Sequence, residues 1–131
     1  MNTSLASTRP NRPKVVVVED DPGVRRSMQL LLQGQGFETR SYASGEALLA
    51  DDGSRGADCL VVDYRLNGVN GIDLLLMLRQ AGWAGRAILV TAFPSEELSK
   101  RATDSGYNKI FEKPLRERSL VEYVCSAVAG V

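Results

Sequence analysis

The chain has 131 residues, 44% of them hydrophobic and 24% charged, which is enough for one domain around one core. Its 16 basic and 16 acidic side chains cancel, so global charge gives no support for nucleic-acid binding, and no apolar run is long enough to span a bilayer. Histidine is absent, which excludes histidine catalysis, histidine metal ligation and a phosphohistidine within this chain.

Residues 1–13 (MNTSLASTRPNRP) are polar, hold two prolines and lack the apolar stretch of a secretory leader, so they read as a disordered tail. Residues 14–131 read as one domain. Val15 to Val18 is a β-branched run too short for a helix and is expected to be a buried strand. Pro22 suits the first turn of a helix with Asp21 as its N-cap. Val24, Met28, Leu31 and Leu32 recur at helical spacing as its core face, and Gly34 and Gly36 end it.

Phe37 to Tyr42 is the second expected strand, and Ser44 caps a short helix carrying Ala47, Leu48 and Leu49. Asp58 to Asp63 is the third strand. A loop with Gly68 and Gly71 follows, then a helix with Leu74, Leu75 and Leu78 that stops near Gly82. Ala87 to Thr91 is the fourth strand. Pro94 is expected to open a polar fourth helix whose apolar stripe is little more than Leu98 and Ala102, a helix that packs lightly and moves easily. Lys109 to Phe111 is the fifth strand. The last helix runs from Leu115 to Val128, with Leu120, Val121, Val124 and Val128 inward. Cys59 and Cys125 lack metal-ligand spacing and are expected to be buried free thiols, in keeping with a reducing cytoplasm.

Five strands alternating with five helices imply βαβ units and a parallel sheet covered on both faces. Such sheets bind ligands at the carboxyl ends of their strands. Asp20, Asp63, Thr91 and Lys113 stand at four of those ends. Two carboxylates, a hydroxyl and an ammonium suit a divalent cation and a phosphoryl group. Each has an ordinary explanation too. Glu19, Asp20 and Asp21 favour a positive helix N-terminus, Asp63 could serve a turn, Thr91 suits a strand, and Lys113 could be a solvated strand end. Glu19 and Asp20 can both ligate only where the strand breaks into a loop, because neighbouring strand side chains face opposite ways. Lys113-Pro114 is a candidate cis bond that would direct the lysine.

The motifs VVVVEDD at 15–21, LVVDYRLNGVNG at 60–71, ILVTA at 88–92 and FEKP at 111–114 together resemble the response-regulator receiver domains of bacterial two-component signalling. The resemblance covers about residues 14–129. It implies a flavodoxin-like three-layer (βα)5 sandwich of the α/β class, with five parallel strands in the order 2-1-3-4-5. It also implies that a histidine kinase or histidine phosphotransfer protein passes a phosphoryl group to Asp63. Glu19, Asp20, Asp63 and the backbone carbonyl of Arg65 would then hold Mg²⁺ or Mn²⁺. Thr91 and Lys113 would contact the phosphoryl oxygens. Output would go to a protein target, or a second copy, through the fourth helix, fifth strand and fifth helix.

Some positions depart from the family pattern. Ile110 stands where an aromatic switch residue is usual and has no large rotamer swing to offer. Asn67 replaces a frequent proline. Arg65 and Phe93 flank the site, where they could shield a phosphoryl group from water. An adaptor using the fold without phosphorylation is the alternative function. An aspartate-nucleophile phosphatase would need a second Asp two residues after the first, where Arg65 stands. Neither nucleotide-binding glycine motif occurs. With nothing after the last helix, a single-domain regulator or a piece of a longer one is expected.

Overall fold

Val15, Val16, Val17 and Val18 are all fully buried, because their strand lies inside a five-stranded parallel sheet. The structure, a computed structural model, describes residues 12–129. The tail expected over residues 1–13 therefore lies, through residue 11, outside the described residues. Ten elements alternate along the chain: β1 (Lys14–Val18), α1 (Pro22–Gly34), β2 (Glu38–Tyr42), α2 (Gly45–Ala50), β3 (Cys59–Asp63), α3 (Gly71–Gln80), β4 (Arg86–Thr91), α4 (Glu96–Ser105), β5 (Lys109–Glu112) and α5 (Glu117–Ala129). The strand order is β2-β1-β3-β4-β5, every pair parallel.

Strand alternation divides the interior into two cores. Val16, Val18, Leu60, Val62, Ala87 and Leu89 pack on one side with Leu48 of α2, Leu74 and Leu75 of α3, and Leu98 of α4. Val15, Val17, Cys59, Val61, Ile88 and Val90 pack on the other with Met28 and Leu32 of α1 and Leu120 and Val124 of α5. The central strands are continuous hydrophobic runs because both of their faces are covered.

Local chemistry explains the helix starts. Asp21, Ser44, Asn70 and Ser95 each accept a backbone N–H from three residues on, capping α1, α2, α3 and α4. The cap on Ser95 corrects one expectation: α4 begins at Glu96, and Pro94 stands outside it. The last helix begins at Glu117, not Leu115, which packs from the preceding loop against the α1/α5 core. Strand ends move by one residue at most. Val24, Leu31 and Val128 pack at the margin of that core, and Ala127 takes a buried place in α5 while Val121 is half-buried. Cys59 is buried as expected, but Cys125 is exposed. It follows Val124 in a helix whose buried positions are 120, 124 and 127, so residue 125 turns away from the core.

Candidate functional site

The register at the carboxyl edge brings the expected residues close. Asp63 is the last residue of β3 and pairs with Val90, which puts Thr91 one step further along β4. Thr91 pairs with Glu112, and the Lys113 N–H donates to the Thr91 carbonyl at 2.8 Å. β1 ends at Val18, so Glu19 and Asp20 lie where the strand gives way to a loop. That break lets both turn toward Asp63. Carboxylate oxygens of Glu19, Asp20 and Asp63 lie within 4.8 Å of one another.

Lys113 joins this cluster from the end of β5, 94 residues along the chain from Glu19. Its ammonium donates to Glu19 Oε1 at 3.0 Å and forms an ion pair with Asp63 Oδ2 at 3.3 Å. The Lys113–Pro114 peptide is cis. Glu19 is 1% exposed and Asp63 7%, so neither carboxylate is well solvated. Burial pushes the Glu19 carboxyl above its usual pKa, against the pull of the Asp21 N–H and the Lys113 ammonium. Burial works to lower the Lys113 pKa, but the hydrogen bond to Glu19 and the charge on Asp63 outweigh it and hold the ammonium above its usual value.

The remaining Glu19 oxygen is also engaged: Oε2 accepts from the Asp21 N–H at 3.1 Å. Asp21 itself serves α1 as its cap. Among the described residues, Glu19, Asp20 and Asp63 form an all-oxygen donor set, which fits a hard divalent cation that retains several waters.

Thr91, at the neighbouring strand end, projects from the other face of the sheet. Asp63 follows Cys59 and Val61, which face the α1/α5 core, while Thr91 follows Ala87 and Leu89, which face the other. The Thr91 hydroxyl is buried and accepts the Phe93 N–H at 3.1 Å. Ile110 packs half-buried against the core on Thr91's side. The Arg65 guanidinium lies over the Phe93 ring, 4.8 Å from its centroid, and Phe93 is 66% exposed. These two residues, each two positions after a site residue, meet above the edge.

Three participants were not anticipated. Arg25 on α1 donates to the Glu19 carbonyl at 2.9 Å and to the Asp20 carbonyl at 3.5 Å, fixing the backbone of the acidic pair. Glu46 on α2 accepts the Val69 N–H at 3.1 Å and braces the loop after Asp63, where Gly68 adopts φ +81° and a Cβ would run into that carboxylate. Tyr107, before β5, donates to the Gly71 carbonyl at 2.7 Å. Beside Lys113 a groove of about 780 Å³ opens, with apolar walls from Val24, Met28, Leu31, Leu115 and Leu120.

The response regulator receiver domain profile matches residues 15–125, which takes in all of these site residues. The chain belongs to the response regulator receiver domain family. The C4-dicarboxylate transport transcriptional regulatory protein DctR of Rhodobacter capsulatus is 31% identical over 118 residues, covering 88% of this chain and 60% of that protein. The transcriptional regulatory protein TdiR of Thauera aromatica is 29% identical over 119 residues, covering 91% of this chain and 52% of its own length. This receiver thus spans only about half to three fifths of these relatives. Among solved structures, a CheY-like receiver domain protein from Methanospirillum hungatei aligns with a TM-score of 0.85 at 23% identity, covering 91% of this chain and 95% of its own. A putative response regulator from Chloroflexus aurantiacus aligns with a TM-score of 0.81 at 28% identity, covering 90% and 98%. The receiver is a two-component signalling domain with the family's fold, and among its described residues no helix is long and apolar enough to cross a membrane.

Proposed function

We propose that the receiver accepts one phosphoryl group on Asp63 and thereby changes which proteins it binds. The observation that carries this reading is the Lys113 ammonium held between the buried Glu19 and Asp63 carboxylates. A buried acidic cluster with its own fixed cation is suited to neutralising incoming negative charge. The completeness of the set Glu19, Asp20, Asp63 and Lys113 argues against the phosphorylation-independent adaptor.

In the proposed transfer, a carboxylate oxygen of Asp63 attacks the phosphorus of a phosphohistidine on a kinase or phosphotransfer protein. The new O–P bond forms as the P–N bond breaks, and the imidazole nitrogen leaves with the electron pair and takes up a proton. Hydrolysis later places a water oxygen on phosphorus and returns Asp63 as carboxylate. Mg²⁺ or Mn²⁺ bound by Glu19, Asp20, Asp63 and the Arg65 carbonyl would supply further charge neutralisation of the phosphoryl oxygens. Lys113 reaches one phosphoryl oxygen from its present position. The Thr91 hydroxyl accepts the Phe93 N–H and keeps its own proton, which it donates to another phosphoryl oxygen once the side chain turns toward Asp63. Ile110 and Pro114 adjust beside these two residues.

The groove beside Lys113 offers an apolar bed for a helix of the phosphodonor. We assign output to protein contacts at α4, β5 and α5, with a second copy as one candidate occupant, and place the domain in the cytoplasm. The thin buried stripe of α4, limited to Leu98, Ala102 and Ser105, supports that choice of face. The domain acts as an acceptor that assists its own modification, without direct contact to nucleic acid or membrane. Residues 14–131 form the receiver in this reading. Incubation with acetyl phosphate and Mg²⁺ should add one phosphoryl group by intact-mass measurement, and Asp63→Asn should remove the addition. An unmodified wild type would sink the reading.

A further inference from the structure

Tyr107 is buried, only 5% exposed, in the loop between α4 and β5. Its ring packs in the core that holds Leu98 and Ala102 of α4, with Ile110 against the same core. Phenylalanine would fill that space equally well, and a hydroxyl is costly there unless it is bonded. The Tyr107 hydroxyl is bonded: it donates to the Gly71 carbonyl at 2.7 Å. Burial drives its pKa well above the ordinary tyrosine value, so the group remains a neutral donor. A first-turn helix carbonyl already serves the helix's own ladder. The added bond therefore fixes position; Gly71 does not need it to be satisfied.

What it fixes lies against the phosphoacceptor. The Gly71 N–H donates to the Tyr64 carbonyl at 3.1 Å. A Cβ on Gly71 would stand 3.0 Å from the Asp63 carbonyl oxygen and 3.2 Å from Tyr64 Cα. Gly71 is thus pressed onto the peptide that leaves Asp63. At its other end Tyr107 is bolted down. Its N–H donates to the Ala102 carbonyl in α4 at 3.0 Å. Next to it, Asn108 exchanges two bonds with Ala87 at the start of β4, at 2.8 and 2.9 Å. One side chain therefore spans from the backbone behind Asp63 to the end of α4.

We propose that Tyr107 is a positioning residue for the phosphoacceptor, tying the backbone that leaves Asp63 to α4 so that occupancy of Asp63 alters the opening of that helix. The inference rests on the reading of Asp63 as acceptor. α4 is the suitable receiver of such a change, since its buried stripe is limited to Leu98, Ala102 and Ser105 and thinly packed elements open at low cost.

The test is hydrogen exchange by mass spectrometry on the full chain, wild type and Tyr107→Phe, with and without Mg²⁺ and beryllofluoride. Fluorine NMR measures the bound beryllofluoride. In wild type, exchange over 96–107 should change about three- to tenfold on binding, the opening equivalent of one hydrogen bond. In Tyr107→Phe, at equal bound beryllofluoride, less than half of that change should remain. A merely structural hydroxyl would speed exchange in both states and leave their ratio intact, and that result overturns the proposal. So does a wild type that binds the probe with no change at α4. A wild type that shows no bound fluorine signal instead refutes the acceptor reading, and this inference falls with it. If Tyr107→Phe does not fold, the Gly71 carbonyl carbon shift in wild type decides. It should move on beryllofluoride binding, and a fixed shift overturns the proposal.

Discussion

Lys113→Ala deletes the cation that, among the described residues, Glu19 and Asp63 share. In wild type that ammonium lies 3.0 Å from one carboxylate and 3.3 Å from the other. The two carboxylate side chains are 1% and 8% exposed, so water reaches them poorly, while the lysine side chain is 25% exposed. Removing one partner of a buried ion pair costs about 3–5 kcal/mol. Partial exposure of the lysine, and water entering the space it leaves, bring the expected loss down to about 2–3 kcal/mol in metal-free protein. Mg²⁺ should then stabilise the variant more than the wild type, because the added cation meets carboxylates that have lost their counter-charge. A difference of about 1–2 kcal/mol, or roughly 5- to 30-fold in affinity, is expected. Urea unfolding in EDTA and in Mg²⁺ measures both quantities. Metal-free stabilities equal within about 0.5 kcal/mol, or equal gains from Mg²⁺, would refute the argument that Lys113 holds the cluster together. The variant should still bind metal yet fail to signal; unchanged output would remove its role at the phosphoryl group.

Arg65→Ala should free the Phe93 ring and admit water. An exposed cation–π contact is worth about 0.5–1 kcal/mol, so dephosphorylation should quicken about two- to fivefold. Equal rates would end the shielding idea. Gly71→Ala puts a methyl 2.9 Å from Leu89 Cδ1 and against the Asp63 and Tyr64 backbone, and should cost about 1–2 kcal/mol in urea unfolding despite its better helix propensity. An unchanged midpoint would show that this packing relaxes freely. Native protein at neutral pH should take one equivalent of a thiol reagent, at Cys125. Cys59 is buried, which pushes its thiol up to about 12, so it should react only after unfolding. Two rapid alkylations in native protein would contradict this.

The sheet and its edge were legible because they are written in long-range patterns of residue type. Valine runs mark strands that are covered on both faces, and polar residues directly after them mark the edge. The same alternation also carried a distinction that the motif reading passed over: Asp63 and Thr91 leave the sheet on opposite sides. Cys125 could be placed outside the core by counting from Val124. Arg25, Glu46 and Tyr107 are different. Each acts on a backbone carbonyl or N–H, groups that every residue carries, so no partner stands out in the sequence. Sequence spacing says nothing of them, since 36 residues separate Tyr107 from Gly71 and 23 separate Glu46 from Val69.

Glu19 and Lys113 are 94 residues apart, the first just beyond a central strand and the second just beyond the edge strand β5. A chain emerging during synthesis therefore has its carboxylates long before it has the lysine that steadies them. Until β5 docks on β4, Asp63 faces Glu19 and Asp20 without their fixed counter-charge. Completion of the site thus depends on a contact of long sequence separation, which carries a loop-closure cost in entropy. A half-made or locally unfolded domain is then a poor phosphate acceptor, so signalling competence reports on the integrity of the whole fold.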